Sequence, residues 1–243
     1  MTWLLDLDGV VWLSEEPIPG SAEAIARLRA RGERVVFLTN NSYATIADYI
    51  AKLGRMGVPA TRDDVITSAQ AAARLVNAGE TVLVCGGPGV EEALRERGAV
   101  PTREGRADAV IVGWHQDFDY SRLRAAFDAV RQGARLIGTN DDATYPTPTG
   151  PLPGGGSILA AVSYATGMTP AVAGKPFPPI VDLLHERVRD ASVMVGDRPS
   201  TDGLLARRLG IAFALVFSGV TAEDAVIEPK PDRVAPNLAA LVG

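Results

Sequence analysis

Two aspartates one residue apart, Asp6 and Asp8, close the apolar run Trp3-Leu4-Leu5 and lead into Gly9. A short apolar run without helix caps reads as a buried strand. Side chains alternate along a strand, so Asp6 and Asp8 can share one side while Leu7 turns to the other. Gly9 then permits a sharp turn. Packing does not explain two carboxylates at the end of a core strand, because buried charge without partners costs several kcal/mol. Such a pair suits phosphoryl transfer, with one carboxylate as nucleophile, the other as acid/base, and Mg²⁺ between protein and phosphate.

Three more polar features stand at strand or loop ends. Thr39-Asn40 follows the apolar run Val35-Val36-Phe37-Leu38, Lys175 lies in Gly174-Lys175-Pro176, and Asp197 and Asp202 follow Ser192–Val195. Each alone has an ordinary reading. Thr39 could cap a helix, Lys175 could be solvated, Asp197 could form a turn, and Asp202 could sit in a first helical turn. Together, these readings would all have to coincide at one sheet edge. If Asp6, Asp8 and Asp197 lie about 5 Å apart, each pair repels by roughly 3 kcal/mol at an effective dielectric near 20. A cation or protonation must offset this, and oxygen-only ligands fit Mg²⁺. Zinc is disfavoured, because His115 and His185 are the only histidines and Cys85 is isolated. Both histidines read as packing or surface residues, with a substrate contact the lesser reading for His115.

The elements that would position these groups follow from the pattern. A helix is expected from Ser21, acting as cap, through Arg31, then a strand over Arg34–Leu38 and a helix over about 44–55. A loop, Val58–Thr67, and an alanine-rich helix, Ser68–Asn77, come next. This β-α-β alternation of near-continuous apolar strands implies a parallel sheet covered by helices. Right-handed crossovers bring strand ends to one edge, where such sheets bind ligands. The pattern restarts with strands at Thr81–Cys85, Ala109–Val112 and Arg135–Ile137 and helices at Val90–Arg97 and Ser121–Arg131. A Pro- and Gly-rich loop, Thr139–Gly156, follows, long enough to suggest function. Helices at Ser157–Thr166 and Pro178–Arg189, strands at Ser192–Val195 and Ile211–Phe217, a helix through Arg208 and a short helix at Leu238–Val242 complete the chain. The simplest partition is a core, 1–78 and 174–243, interrupted by an inserted domain, 79–173.

The bulk properties set limits. With 243 residues, 47% hydrophobic and 22% charged, the chain is not disordered. A net charge of −5 with scattered basic residues argues against a nucleic-acid surface. No apolar run reaches the ~18–20 residues a membrane span needs, and Asp6 and Asp8 interrupt any signal peptide. The single Cys85 suits a reducing cytoplasm and a buried apolar role. A soluble cytoplasmic protein with no nucleic-acid or membrane partner is therefore expected. Gly86-Gly87-Pro88-Gly89 lacks the dinucleotide fingerprint, and no Gly-Lys-Ser/Thr follows residues 150–156.

In this order the motifs Asp6-Leu7-Asp8-Gly9-Val10, Thr39, Lys175 and Gly196-Asp197 with Asp202 resemble those of the haloacid dehalogenase superfamily of aspartate-nucleophile phosphatases, over nearly the whole chain. The insert lies where that superfamily carries a C2-type cap. Thr39-Asn40-Asn41-Ser42, Gly138-Thr139-Asn140-Asp141-Asp142-Ala143-Thr144-Tyr145-Pro146 and the 150–157 glycine-rich stretch resemble subfamily IIA, the NagD-like or para-nitrophenylphosphatase-like enzymes. The resemblance implies a Rossmann-like, doubly wound parallel-sheet α/β core with an inserted α/β cap. It implies Mg²⁺-dependent hydrolysis of a small phosphorylated metabolite through an aspartyl-phosphate on Asp6. Asp8 would be the acid/base, while Thr39, Asn40, Asn41, Gly9 and Lys175 would meet the phosphate. Asp6, the carbonyl of Asp8 and Asp197 would hold the metal, with Asp202 behind them. Asn140, Asp142 and the 150–156 loop would face the substrate, and a homodimer would form through the cap. A phosphotransferase using the same intermediate and a non-catalytic phosphate-ester binder stand as alternatives. A receiver-type signalling domain is disfavoured by chain length, the insert and Asp8.

Overall fold

The computed structural model describes residues 1–243. The first stretch holds β1 (Thr2–Leu5), a small antiparallel hairpin of β2 (Trp12–Leu13) and β3 (Glu16–Pro17), α1 (Ser21–Ala30), β4 (Arg34–Thr39), α2 (Ile46–Arg55), β5 (Val65–Thr67) and α3 (Ser68–Ala73). The second holds β6 (Thr81–Cys85), α4 (Pro88–Arg97), β7 (Val100–Thr102), β8 (Ala109–Val112), α5 (Tyr120–Arg131) and β9 (Arg135–Gly138). It continues through the hairpin β10 (Thr144–Tyr145) and β11 (Leu152–Pro153), then α6 (Gly155–Thr166) and β12 (Ala171–Val172). The chain returns through α7 (Pro178–Arg187), β13 (Ala191–Gly196), α8 (Leu204–Leu209), β14 (Ala212–Val216), β15 (Arg233–Ala235) and α9 (Leu238–Val242).

Two parallel sheets result. The larger has strand order β15-β14-β13-β1-β4-β5 and the smaller β12-β9-β8-β6-β7. In the larger sheet β1 lies between β4 and β13, with Leu5 opposite Phe37 on one side and Val195 on the other. That register carries the ends of three strands, bearing Asp6, Thr39 and Asp197, to one edge.

Alternation along the strands decides which face each residue covers. Trp3, Leu5, Val35, Phe37, Val193 and Val195 enter one apolar cluster with α1 and α9, while Leu4, Val36, Leu38 and Met194 enter another. That second cluster of 28 buried residues also takes in Val82, Val84, Ala109, Ile111 and Ile137 of the smaller sheet, with the alanines of α3 between them. The two lobes thus share one core. Their seam is tight at the loop preceding α2, where a Cβ on Gly89 would lie 2.2 Å from the carbonyl oxygen of Ala44. The far face of the smaller sheet is closed by α5 and α6 over Leu83, Cys85, Val110 and Val112. No helix is long and apolar enough to cross a membrane.

Several local expectations change. Ser21 does not cap α1: Gly20 holds that place, and the Ser21 hydroxyl donates to the carbonyl of Val10 at 2.9 Å. The expected loop Val58–Thr67 contains β5, and β7, β12 and β15 also arise where no strand was expected. All four are two or three residues long and lie at or beside sheet edges, so backbone pairing makes them strands where too few residues show a period. The Thr139–Gly156 loop contains the β10/β11 hairpin, and α6 starts earlier than expected, at Gly155. After β13 the chain makes a wide five-residue π-type turn, Pro199–Gly203, before α8.

Candidate active site

The carboxylate of Asp6 leaves the end of β1 and is buried. Its Oδ1 accepts the backbone N–H of Leu7 at 2.8 Å and lies 3.0 Å from Lys175 Nζ. Lys175, 1% exposed, spends its ammonium group on Asp6, on Asp202 Oδ1 at 2.7 Å and on the carbonyl of Leu38 at 3.3 Å. Asp202 is 0% exposed, and its second oxygen accepts the backbone N–H of Arg198 at 3.1 Å. The wide turn before α8 thus folds Asp202 back under β13. A Cβ on Gly196 would lie 2.1 Å from its carboxylate, so only glycine fits there.

Asp197 follows β13, and its Oδ2 accepts the N–H of Val220 at 2.6 Å. Gly9 turns the chain with φ +87°, and a Cβ there would meet Asp197 Oδ2 at 2.4 Å. Conformation and space both require glycine. Asp8 is half-buried, and its Oδ1 accepts two donors, Trp12 Nε1 at 2.9 Å and the Tyr145 hydroxyl at 2.8 Å. Thr39, buried at the end of β4, accepts the N–H of Asn41 at 3.0 Å and makes a long 3.5 Å contact to Asp8 Oδ2.

Electrostatics follows from this burial. Burial, resisted by Lys175 and reinforced by Asp202, Asp197 and Asp8, holds the Asp6 carboxyl well above the usual carboxylate range. Burial also raises Asp8, against the Tyr145 and Trp12 hydrogen bonds that favour its charged form. Asp197 is pushed up to about 7 by burial, with Asp202 adding to the rise. Burial works against the charge on Lys175, but Asp202 and Asp6 outweigh it and keep the ammonium form. One cation among three buried carboxylates leaves an unbalanced negative site. Oxygens of Asp6, Asp197 and Asp202 lie within 4.8 Å of one another. Asp6 Oδ2 and Asp197 Oδ1 have no protein hydrogen bond, whereas both oxygens of Asp202 are taken. A hard, oxygen-seeking divalent cation such as Mg²⁺ fits that donor set.

All the residues expected at the site except Gly9 and Asp202 line one small cavity of about 50 Å³, and those two pack directly beneath it. Three of the lining residues have side chains committed to the protein. Asn40 donates to Asp142 Oδ2 at 2.9 Å and to the carbonyl of Lys175 at 3.1 Å, and its Oδ1 accepts the Lys175 N–H at 2.7 Å. Asn140 donates to the carbonyl of Asn40 at 2.7 Å, and its Oδ1 accepts the N–H of Asp142 at 3.1 Å. The Asn40 carboxamide, Asn140 and Asp142 line the cavity and make these hydrogen bonds within the protein. These side chains clasp the two lobes and hold the Lys175 loop. His115 lies away from the cavity, buried against Phe118 and 4.0 Å from Cys85 Sγ. Burial pushes the Cys85 thiol up to about 12, which keeps it unreactive.

The sequence reading missed Tyr145, Trp114 and Arg198. Tyr145 touches Asp8, Trp114 stacks on Tyr145 with ring centroids 5.0 Å apart, and Arg198 donates to the carbonyl of Thr144 at 3.0 Å. No motif separation points to such contacts, because Tyr145–Asp8 and Arg198–Thr144 join residues of different lobes and Trp114 and Tyr145 meet only in the folded second lobe.

Comparison with known proteins accords with this geometry. The haloacid dehalogenase-like hydrolase family model matches residues 3–100, and a HAD-hydrolase-like model matches residues 172–241. An acid sugar phosphatase of Staphylococcus saprophyticus is 36% identical over 230 residues, covering 92% of this chain and 89% of that protein. Crystal structures of a glycerol phosphate phosphatase from Mycobacterium tuberculosis, in complex with calcium and with magnesium, superpose with a TM-score of 0.89 at 36% and 35% identity. They cover 99% of this chain and 74% and 75% of that one. A 4-nitrophenylphosphatase from Thermotoga maritima gives a TM-score of 0.89 at 35% identity, covering 99% of this chain and 95% of its own.

Proposed function

Because the chain belongs to subfamily IIA of the haloacid dehalogenase-like hydrolases and is a phosphoric monoester hydrolase, we propose that Asp6 is its nucleophile and that it needs Mg²⁺. The observation that carries this reading is the buried chain Asp6–Lys175–Asp202, with a free Asp6 oxygen facing the cavity. Asp6 Oδ2 attacks phosphorus as the P–O ester bond breaks, and the bonding pair leaves on the ester oxygen, which takes a proton from Asp8. Asp8 then removes a proton from water as that water attacks the aspartyl-phosphate, freeing Asp6 and inorganic phosphate. Lys175 opposes the effect of burial on Asp6, favouring its charged form, and aims it, held in turn by Asp202. The Thr39 hydroxyl and the Asn41 side chain, which line the cavity, would donate to phosphoryl oxygens. Asp6, Asp197 and the carbonyl of Asp8 would hold Mg²⁺, whose charge offsets that of the carboxylates and phosphoryl oxygens.

Residues 79–173 act as the cap that selects the ester, and small polyol or sugar phosphates are the substrate class, in line with the relatives' names. The single buried thiol of Cys85 suits a reducing cytoplasm. Exposed Tyr164 and Met168 on the second lobe offer a face for a homodimer, which sedimentation would detect. The central test is phosphate release from para-nitrophenyl phosphate with and without Mg²⁺. Turnover that requires the ion and disappears with chelator is expected. Binding of the ester without release, under all metal conditions, would reduce the protein to a phosphate-ester binder.

A further inference from the structure

Beside the 50 Å³ cavity lies a second of about 440 Å³, lined among others by Trp12, Tyr43, Tyr49, Lys52, Trp114 and Leu152. The smaller one holds Asp6, Lys175 and Asp197, and the larger has the size of a small-molecule site. They share four residues, Asp8, Asn41, Trp114 and Tyr145, which form the partition between them. At the centre of that partition the Tyr145 hydroxyl donates to Asp8 Oδ1 at 2.8 Å. Tyr145 leans on Trp114, which meets Tyr43 edge-on at 5.7 Å and donates from Nε1 to the carbonyl of Pro153 at 3.0 Å.

For Asp8 to protonate a leaving group, an ester oxygen must come within hydrogen-bond reach of its carboxylate. Trp12 and Tyr145 already occupy one oxygen of that carboxylate. Trp12 is fully buried, but Tyr145 sits on a hairpin of two-residue strands whose facing residues, Leu152 and Pro153, are exposed. The lobes themselves share a core and a tight seam, so swinging them apart would break packing that moving the hairpin leaves intact.

We propose that Tyr145 is a positioning residue that gates the two cavities. Its hydroxyl ties the partition to Asp8, and an ester that reaches from the smaller cavity into the larger displaces it as the 144–153 hairpin yields. The organic part of the ester then occupies the larger cavity against Trp114 and Tyr43. This rests on the phosphatase reading above and adds the route by which the leaving group reaches Asp8.

The test is Tyr145→Phe, which keeps the ring and removes the competing hydroxyl. KM for glycerol 3-phosphate and glucose 6-phosphate should fall about tenfold, the equivalent of one charge-assisted hydrogen bond no longer broken on binding, and kcat should change less than KM. An unchanged or raised KM in an active variant overturns the gate, whereas a wild-type protein inactive on every ester overturns the phosphatase reading instead. A second measurement does not depend on that variant. Hydrogen exchange in Asp6→Asn, with Mg²⁺ and with or without para-nitrophenyl phosphate, should change across residues 144–153 and stay constant across the seam at 42–45 and 86–89. Changes along the seam with the hairpin unaffected would show a lobe swing and refute the proposal.

Discussion

The floor and the wall of the cavity are built by opposite means. The floor, Asp6, Lys175, Asp197 and Asp202, is charged, almost fully buried and hydrogen-bonded to strand ends and to itself. The wall, Tyr145, Trp114 and Tyr43, is neutral, aromatic and partly exposed, and ring contacts hold it together. Charges arranged before the substrate arrives cost no reorganisation during reaction. Rings stacked at a hairpin can yield and close again without leaving a charge unpaired. In the reading proposed above, the contrast separates the part that performs a reaction from the part that admits a molecule to it.

The largest effect expected of the floor is on turnover. Asp6→Asn should lower kcat by on the order of 10⁵-fold, as loss of a nucleophile does, while the melting temperature stays near that of the wild type. Retained activity would remove the floor from the chemistry. Lys175→Met should act on the fold itself. It strands two buried carboxylates and should cost about 3–5 kcal/mol in denaturant unfolding. A neutral result would mean that these acids are already protonated.

Asp8 belongs to both regions, and Asp8→Asn sharpens where they meet. Alkyl phosphates should slow by roughly 10²–10⁴-fold and para-nitrophenyl phosphate by much less, since its leaving group needs no proton. Equal losses on both esters would place Asp8 outside acid catalysis. The smallest effect concerns pH without metal. Asp197 is raised in the folded chain to about 7, so the native state holds its proton where the unfolded chain has lost it. Its contribution to stability is complete below the ordinary aspartate range and is lost as pH rises through about 7. In chelator the melting temperature should therefore fall between mildly acidic and neutral pH, and Mg²⁺ should flatten the slope. A chelator curve rising through that interval would contradict the assignment.

How much of this is legible in the sequence differs between the two regions in the same way. Asp6, Asp8, Thr39, Lys175 and Asp197 are polar residues that interrupt or terminate apolar runs, so each is conspicuous in one dimension. The runs themselves, Val35–Leu38 or Ala109–Val112, are long enough to mark strands. Tyr145 and Trp114 interrupt nothing: Tyr145 matters through its contact with Asp8 of the opposite lobe, and Trp114 by stacking on Tyr145. Asn40 shows a further limit. A polar residue beside a reactive one reads as a ligand contact, and spacing does not reveal that its carboxamide also binds Asp142 and the Lys175 loop. Spacing reports which residue types are near in sequence, whereas hydrogen-bond capacity already spent is a property of the assembled fold.

The 28-residue cluster joining the two sheets bears on how such a chain can be divided. The inserted stretch is contiguous in sequence, as if it were a removable module. Its inner face, Val82, Val84, Ala109, Ile111 and Ile137, is covered by Val90, Ala93 and Leu94 of its own α4 together with α3 and other residues of the remainder of the protein. Excised alone, it would present to water the part of that cluster which α3 and its surroundings cover. Grafted onto another scaffold, it would need α3 and the surface around it transplanted as well. For recombination and for engineering, the unit of exchange is therefore the insert together with its apolar bed, a boundary drawn by burial and not by topology.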